Sequence, residues 1–81
     1  MIYIATFFAH IGAVKFKKAC DEIKIPARVM PVPRALSSSC GVCVRFEYDG
    51  TDVKKLINPD MEKLVKNDAP GYEEIYRAVG I

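Results

Sequence analysis

The order of apolar and polar positions in the first half of the chain predicts a strand, a helix and two further strands. Residues 2–8 are β-branched or aromatic almost throughout, which predicts a buried first strand. From His10, apolar residues recur at helical spacing while lysines and carboxylates take the other side, which predicts an amphipathic helix that ends before Pro26. Residues 27–32 predict a second strand, and residues 42–48 alternate between apolar and polar with the period of a third strand.

The second half of the chain predicts another helix and a final strand. After a short turn, apolar residues return at helical spacing and predict a second helix over residues 53–67. Pro59 interrupts this helix, either as a kink or as a restart capped by Asn58. Residues 72–79 predict a last strand, although their apolar spacing also fits a short C-terminal helix. The apolar positions of the predicted second helix are Val53, Leu56, Ile57, Met61, Leu64 and Val65.

The predicted element order, β-α-β-β-α-β, favours an α+β fold with a ferredoxin-like sandwich, in which one antiparallel sheet carries two helices on one face. In this topology the end of the first strand meets the start of the third strand at one edge of the sheet. His10 and the start of the first helix are therefore expected beside the loop of residues 33–40, where the helix dipole favours an anion. The uncovered face would expose the apolar first strand, which predicts a homodimer or a partner protein docked on the sheet.

Length and composition place the protein among small globular domains. Residues 1–81 predict a single domain, and the 51% hydrophobic and 27% charged content indicates a folded chain. A net charge of +2 and the lack of an RNA-recognition signature argue against nucleic acid as a partner. The N-terminal apolar run is too short to cross a membrane and does not resemble a signal peptide. Three cysteines, an odd number, fit reduced thiols in the cytoplasm better than a disulfide framework.

The loop before the third strand carries the candidate chemistry. Its sequence over residues 31–43, Pro-Val-Pro-Arg-Ala-Leu-Ser-Ser-Ser-Cys-Gly-Val-Cys, offers little to a core and suits the presentation of a thiol. Cys40 is the candidate nucleophile, and Gly41 lets the backbone turn tightly beside it. Serine hydroxyls, loop amides and the cation of Arg34 would favour its thiolate over its thiol. The serines are Ser37, Ser38 and Ser39.

Three blocks of this sequence carry a resemblance: Ile4-Ala5-Thr6-Phe7-Phe8-Ala9-His10, Met30-Pro31-Val32-Pro33-Arg34 and Ser37-Ser38-Ser39-Cys40-Gly41. They resemble one family, the selenium/sulfur carrier-like group of small proteins, and the resemblance covers nearly the whole chain. It implies a carrier rather than an enzyme, one that holds sulfur or selenium on Cys40 as a persulfide or selenosulfide and needs no organic cofactor. It also implies donor and acceptor proteins as partners.

Several residues of this region allow more than one role. Cys43, on the polar face of the third strand, either resolves a persulfide or disulfide formed on Cys40 or packs as a small residue. The first role would make the protein a small thiol redox protein or sensor with a reversible Cys40–Cys43 pair. His10 either orients or deprotonates Cys40 or only begins the helix. Arg34 either holds a sulfanion, a selenide or a partner's carboxylate, or is a solvated loop cation.

Other features add less to the functional picture. Cys20 lies on the apolar stripe of the first helix and is expected in the core. Two cysteines and one histidine fall short of the four ligands of a structural zinc site, so no metal is expected. The lysine-rich side of the first helix is either a solvated face or a surface that docks an acidic partner. A plain protein-interaction module is the third functional hypothesis.

Overall fold

One antiparallel sheet organises the fold. The computed structural model describes residues 1–36, 40–50, 52–68 and 71–78, and within these ranges it contains five strands, one α-helix and a single turn of 3-10 helix. The α+β class is therefore confirmed. In chain order the elements are β1 (Ile2–Phe7), α1 (His10–Glu22), β2 (Ala27–Pro31), β3 (Val42–Glu47), the 3-10 helix (Val53–Leu56), β4 (Met61–Asp68) and β5 (Gly71–Arg77).

β1 lies in the middle of the sheet. The spatial order is β2-β3-β1-β4-β5, and every neighbouring pair of strands is antiparallel. Its central place follows from its sequence, because five of its six residues are buried, as expected for a strand that is covered on both faces. Tyr3, Ala5 and Phe7 belong to the face that packs against α1, whereas Ile4 and Thr6 alternate onto the other face.

Aromatic rings hold α1 against the sheet, in a buried cluster that we call the helix-side core. Phe16 of α1 contacts Phe7 of β1 and Phe46 of β3, with ring centroids 5.4 Å and 5.2 Å apart. Gly12 permits a close approach at the start of the helix, because a Cβ at this position would lie 3.0 Å from the Cβ of Asp60. The first helix is therefore confirmed, and its buried stripe fixes it over β1 and β3.

The second predicted helix is wrong. Residues 61–68 form β4 between β1 and β5, and the 3-10 turn over Val53–Leu56 is the one helical segment described within residues 53–67. Leu64 and Val65 are both buried, but in clusters on opposite faces of the sheet, and the pairing with β5 shifts register between them. An interior strand with such a bulge buries Met61, Leu64 and Val65, which is also the spacing of a helical stripe. The ferredoxin-like arrangement with two helices is therefore not matched.

The segments that flank β4 are a turn and a strand. The side-chain Oδ1 of Asn58 accepts a hydrogen bond from the N–H of Asp60 at 2.9 Å, and its carbonyl accepts one from the N–H of Met61 at 3.1 Å. Asn58 thus caps a turn that leads into β4 and not the start of a helix. The last predicted strand is confirmed as β5, Gly71–Arg77, and the competing C-terminal helix is not formed by the described residues up to Ala78.

The face of the sheet opposite α1 is covered where β1, β3 and β4 meet. Ile4, Cys43 and Val65 form a second buried cluster there, which we call the far-face cluster. The expectation that the apolar first strand is exposed on this face is therefore wrong, and the reason for a homodimer through it is removed. The segment after β2, which was expected to offer little to a core, supplies part of the cover. The residues packed against the far-face cluster are Met30, Val32, Leu36 and Tyr72.

Candidate functional site

The register of β1 and β3 brings the thiol loop to the edge of the sheet at which α1 begins. Thr6 pairs with Cys43 at the last shared position of the two antiparallel strands. The chain therefore leaves β1 for α1 at the same edge at which it enters β3 from the loop. A hydrogen bond from the N–H of Val32 to the carbonyl of Gly41, at 3.2 Å, closes the loop at its base. This juxtaposition is the one predicted from the order of the elements.

Cys40 is the partly exposed thiol at this edge. It is half-buried and packs against the helix-side core. Its Sγ–H donates a hydrogen bond to the carbonyl oxygen of Val42 at 3.4 Å, which directs the sulfur along the start of β3. Gly41 has a φ of +76°, in the left-handed region, as expected for the tight turn predicted beside Cys40. Cys40 is therefore the cysteine that keeps partial exposure, whereas Cys20 and Cys43 are buried.

Cys43 lies on the other face of the sheet. It is fully buried in the far-face cluster, and its Sγ–H is directed to the carbonyl oxygen of Pro31 at 3.8 Å. Removal from water, and secondarily the charge of Cys40, raise the pKa of the Cys43 thiol from 9.0 to about 11. It is therefore a protonated thiol at neutral pH. Cys43 lies on the face opposite Val44 and Phe46, as predicted, but Val32 and Leu36 of the loop cover that part of the face.

Cys20 is buried on the inner side of α1, as predicted. Removal from water and then the carboxylate of Asp21 raise the pKa of its thiol from 9.0 to about 11, and Lys17 partly opposes this shift. Lys17 is itself held by Asp21, whose Oδ2 lies 2.7 Å from its Nζ. All three cysteines are described and none forms a disulfide, so Cys40 is the one thiol of the chain that is not buried.

The two other candidate site side chains, His10 and Arg34, are exposed. His10 is the first residue of α1, and its imidazole forms no hydrogen bond with the described residues. Arg34 lies in a turn in which the N–H of Leu36 donates to the carbonyl of Pro33 at 3.0 Å. Their roles at Cys40 stay predictions. The serines of the loop, Ser37, Ser38 and Ser39, lie outside the described residues.

The described ranges contain neither a metal centre nor a helix that could span a membrane. No group of three or more His, Cys, Asp and Glu side chains there could hold a metal ion. The α-helix of 13 residues is neither long nor apolar enough to cross a bilayer.

Sequence reasoning missed two groups of residues around this site. Val32 and Leu36 cover the far-face cluster, and their loop has no regular period that could have predicted this packing. Phe8, Ile11 and Val14 are exposed apolar residues, with 39%, 60% and 44% of their surface accessible. The signal for Ile11 and Val14 was present, because neither falls on the buried stripe of α1.

A cleft of about 380 Å³ opens on the far face, between the thiol loop and the β4–β5 hairpin. Lys63 and Arg77 line it beside Tyr72, and the Nη2 of Arg77 lies 2.8 Å from the Oε1 of Glu74. Because Cys40 packs against the helix-side core, the cleft lies across the sheet from the thiol and is not part of its site.

Comparison with known proteins adds one finding to this geometry. A search of curated proteins and a search of solved structures give no match. A family model does match, over residues 2–77 of the 81, so it covers the thiol loop together with β1, α1 and the whole sheet. The chain therefore belongs to the family described as Putative Se/S carrier protein-like.

Proposed function

We propose that this protein is a cytoplasmic carrier that takes sulfur or selenium from a donor protein on the thiol of Cys40 and passes it to an acceptor protein. One observation carries the proposal. Cys40 is the one partly exposed thiol of a chain that belongs to a Se/S carrier-like family, and it lies in the loop that enters β3 at the edge where β1 ends. A carrier needs a sulfur that a partner can reach. Cys20 and Cys43 are unsuitable because both are buried and the pKa of each thiol is raised to about 11, which lowers the thiolate fraction.

The transfer is a thiol exchange without net oxidation. The thiolate of Cys40 attacks the outer sulfur of a cysteine persulfide on the donor, and a new S–S bond forms. The S–S bond of the donor breaks, and the donor cysteine leaves as a thiolate. Cys40 then holds the outer sulfur as a persulfide, and a selenosulfide donor gives the corresponding selenosulfide. Delivery to the acceptor repeats the same exchange in the opposite sense.

The electrostatics at this edge support an anionic sulfur. The first turn of α1 contains no acidic residue, so the positive end of its dipole is not neutralised by its own side chains. Arg34 adds a cation in the loop, and His10 stands at the first position of the helix. In the proposed function Arg34 and the loop serines stabilise the thiolate or persulfide, and His10 orients the thiol or takes its proton.

The test is direct loading of the purified chain. A cysteine desulfurase supplied with cysteine, or with selenocysteine, provides the donor, and intact mass with peptide mapping locates the added atom. We expect one sulfur or selenium on Cys40, no addition in Cys40→Ala, and normal loading in Cys43→Ala. A chain that stays unmodified while an authentic carrier is loaded in parallel would contradict the proposal.

The redox hypothesis is less well supported by the same geometry. A reversible Cys40–Cys43 pair requires Cys43 to reach Cys40, but its thiol is buried on the other face and directed to the carbonyl of Pro31. Its raised pKa also lowers the thiolate fraction that disulfide exchange needs. The carrier chemistry uses Cys40 alone and meets neither obstacle.

A further inference from the structure

We propose that the N-terminal half of α1 is the surface on which the donor protein docks, and that the donor presents an apolar patch ringed by carboxylates. This inference rests on the proposed carrier function and names the partner surface of the same site. It is carried by Phe8, Ile11 and Val14, and by the two lysines beside them, Lys15 and Lys18.

Three exposed residues form the apolar part of this surface: Phe8, Ile11 and Val14. Ile11 and Val14 are three residues apart on one helix, so their side chains are neighbours on its outer face. Phe8 lies two residues before His10, the first residue of the helix, and is 39% exposed. Burying such residues against a partner is favourable because it removes apolar surface from water.

The charges beside the patch indicate which charge the partner surface carries. Lys15 and Lys18 are exposed and form no ion pair with the described residues, whereas Lys17 is bound to Asp21. The acidic residues of α1 lie in its last turn, so the half of the helix near the patch carries only positive charge. Two unpaired cations at the rim of an apolar patch favour an acidic partner surface.

The patch also lies at the end of the molecule where the thiol is. The antiparallel register of β1 and β3 places the end of β1, and with it Phe8, at the edge where the chain passes from Cys40 into β3. Cys40 packs against the helix-side core and so lies on the same side of the sheet as α1. A donor that covers Ile11 and Val14 would therefore approach Cys40 at the same time.

A second copy of this chain fits the surface less well than an acidic donor. Consider two antiparallel helices packed so that Ile11 of one copy contacts Val14 of the other. Lys15 and Lys18 of both copies would then lie in the interface, and the acidic last turns, which include Asp21, would lie outside it. The resulting like-charge repulsion opposes a homodimer through this face.

The experiment compares two exposed isoleucines at opposite ends of the helix region. Ile11 is 60% exposed and Ile23 is 59% exposed, so Ile11→Ser and Ile23→Ser remove similar side chains from similar environments. Sulfur transfer to Cys40 is timed from a persulfide-loaded cysteine desulfurase and, separately, from a small-molecule persulfide that needs no docking. We expect Ile11→Ser to slow transfer from the protein donor by about tenfold, the effect of one interface anchor, and to leave the small-molecule rate unchanged. Ile23→Ser should change neither rate.

Charge reversal provides a second pair of variants. Lys15→Glu with Lys18→Glu should slow transfer from the protein donor and remove most of its salt dependence, because these lysines attract the acidic surface. Lys54→Glu with Lys55→Glu reverses two exposed lysines of the 3-10 helix and should have little effect.

The outcomes separate the two proposals. Equal protein-donor rates for Ile11→Ser and Ile23→Ser, with Cys40 still loaded, would overturn the docking surface and leave the carrier function intact. Amide shifts at Phe8, Ile11 and Val14 that depend on the concentration of the chain alone would show that a second copy covers the patch, which also overturns it. Absence of loading from either donor would instead contradict the carrier function, and the docking surface would fall with it.

Discussion

Cys40 and Cys43 are three residues apart but pack on opposite faces of the sheet. Cys40 contacts the helix-side core, while Cys43 lies in the far-face cluster with its Sγ 3.8 Å from the carbonyl oxygen of Pro31. The alternation of β3 separates them, since Val42 turns toward α1 and Cys43 turns away from it. The C-x-x-C spacing in the sequence therefore does not correspond to a pair of thiols presented together.

The first prediction concerns the redox behaviour of Cys40 and Cys43. The folded protein should remain a dithiol at positions 40 and 43 in glutathione buffers that oxidise ordinary C-x-x-C pairs, because Cys43 is buried and protonated. Acid quenching, alkylation and mass measurement across a range of redox poises check this expectation. A reversible disulfide between these positions in the folded chain would favour the redox-protein hypothesis instead.

A second prediction concerns the reactivity of the three thiols. At neutral pH iodoacetamide should modify Cys40 first, because Cys20 and Cys43 are buried and their pKa values of about 11 lower their thiolate fractions. A thiol whose pKa rises from 9.0 to about 11 has a thiolate fraction about a hundredfold lower at neutral pH. Peptide mapping after timed alkylation gives the three rates. In denaturant the rates should become similar, and equal rates for Cys43 and Cys40 in the folded protein would contradict the structure.

The same pKa shifts predict a loss of stability in alkaline solution. The folded-state pKa values of Cys20 and Cys43, about 11, lie above their unfolded value of 9.0, so below pH 9 both states hold these protons. Between pH 9 and pH 11 the unfolded thiols ionise while the folded ones do not, and the free energy of unfolding must fall. Urea unfolding at a series of pH values measures the slope. Cys20→Ala and Cys43→Ala should each have a shallower slope over this window, whatever their stability at neutral pH.

The sequence predicts the first half of the fold well because each of its elements has one clear period. β1, α1, β2 and β3 appear where the pattern places them, and their antiparallel order gives the edge at which Cys40 lies. β4 is different, because it is buried on both faces and shifts register between Leu64 and Val65. A strand of this kind has no period of two, so its apolar residues indicate a helix.

The candidate site is predicted less completely than the fold. Residue types and the order of elements suffice to select Cys40 and its sheet edge. The burial of Cys43 depends on the path of the loop, which carries Val32 and Leu36 over the far face. No periodicity encodes such a path, because the loop has neither the period of a strand nor that of a helix. The exposure of Cys43 therefore could not be decided from its strand face alone.

Thr6 provides a test of the packing beneath the loop. Thr6 is only 1% exposed, and its buried hydroxyl has no hydrogen-bond partner within the described residues. A buried hydroxyl without a partner is costly, so Thr6→Val should raise the free energy of unfolding by about 1 kcal/mol. Thr6→Ser keeps the hydroxyl and loses a methyl group, and it should be less stable than the wild type. Chemical denaturation of the three proteins gives the order of their free energies of unfolding. A Thr6→Val variant less stable than the wild type would contradict the prediction.

The turn beside the thiol gives the last prediction. Gly41 has a φ of +76°, and a Cβ built there would meet no atom within 4 Å, so backbone strain is the main cost of a side chain. Gly41→Ala should therefore lower the free energy of unfolding by about 1 kcal/mol, and Gly41→Asn by less, because asparagine tolerates the left-handed region. Gly71 is the matched control, since a Cβ there also meets open space but the residue has no positive φ. Gly71→Ala should be neutral or slightly stabilising. Equal effects of alanine at both glycines in urea unfolding would show that the left-handed turn at Cys40 is not required by the fold.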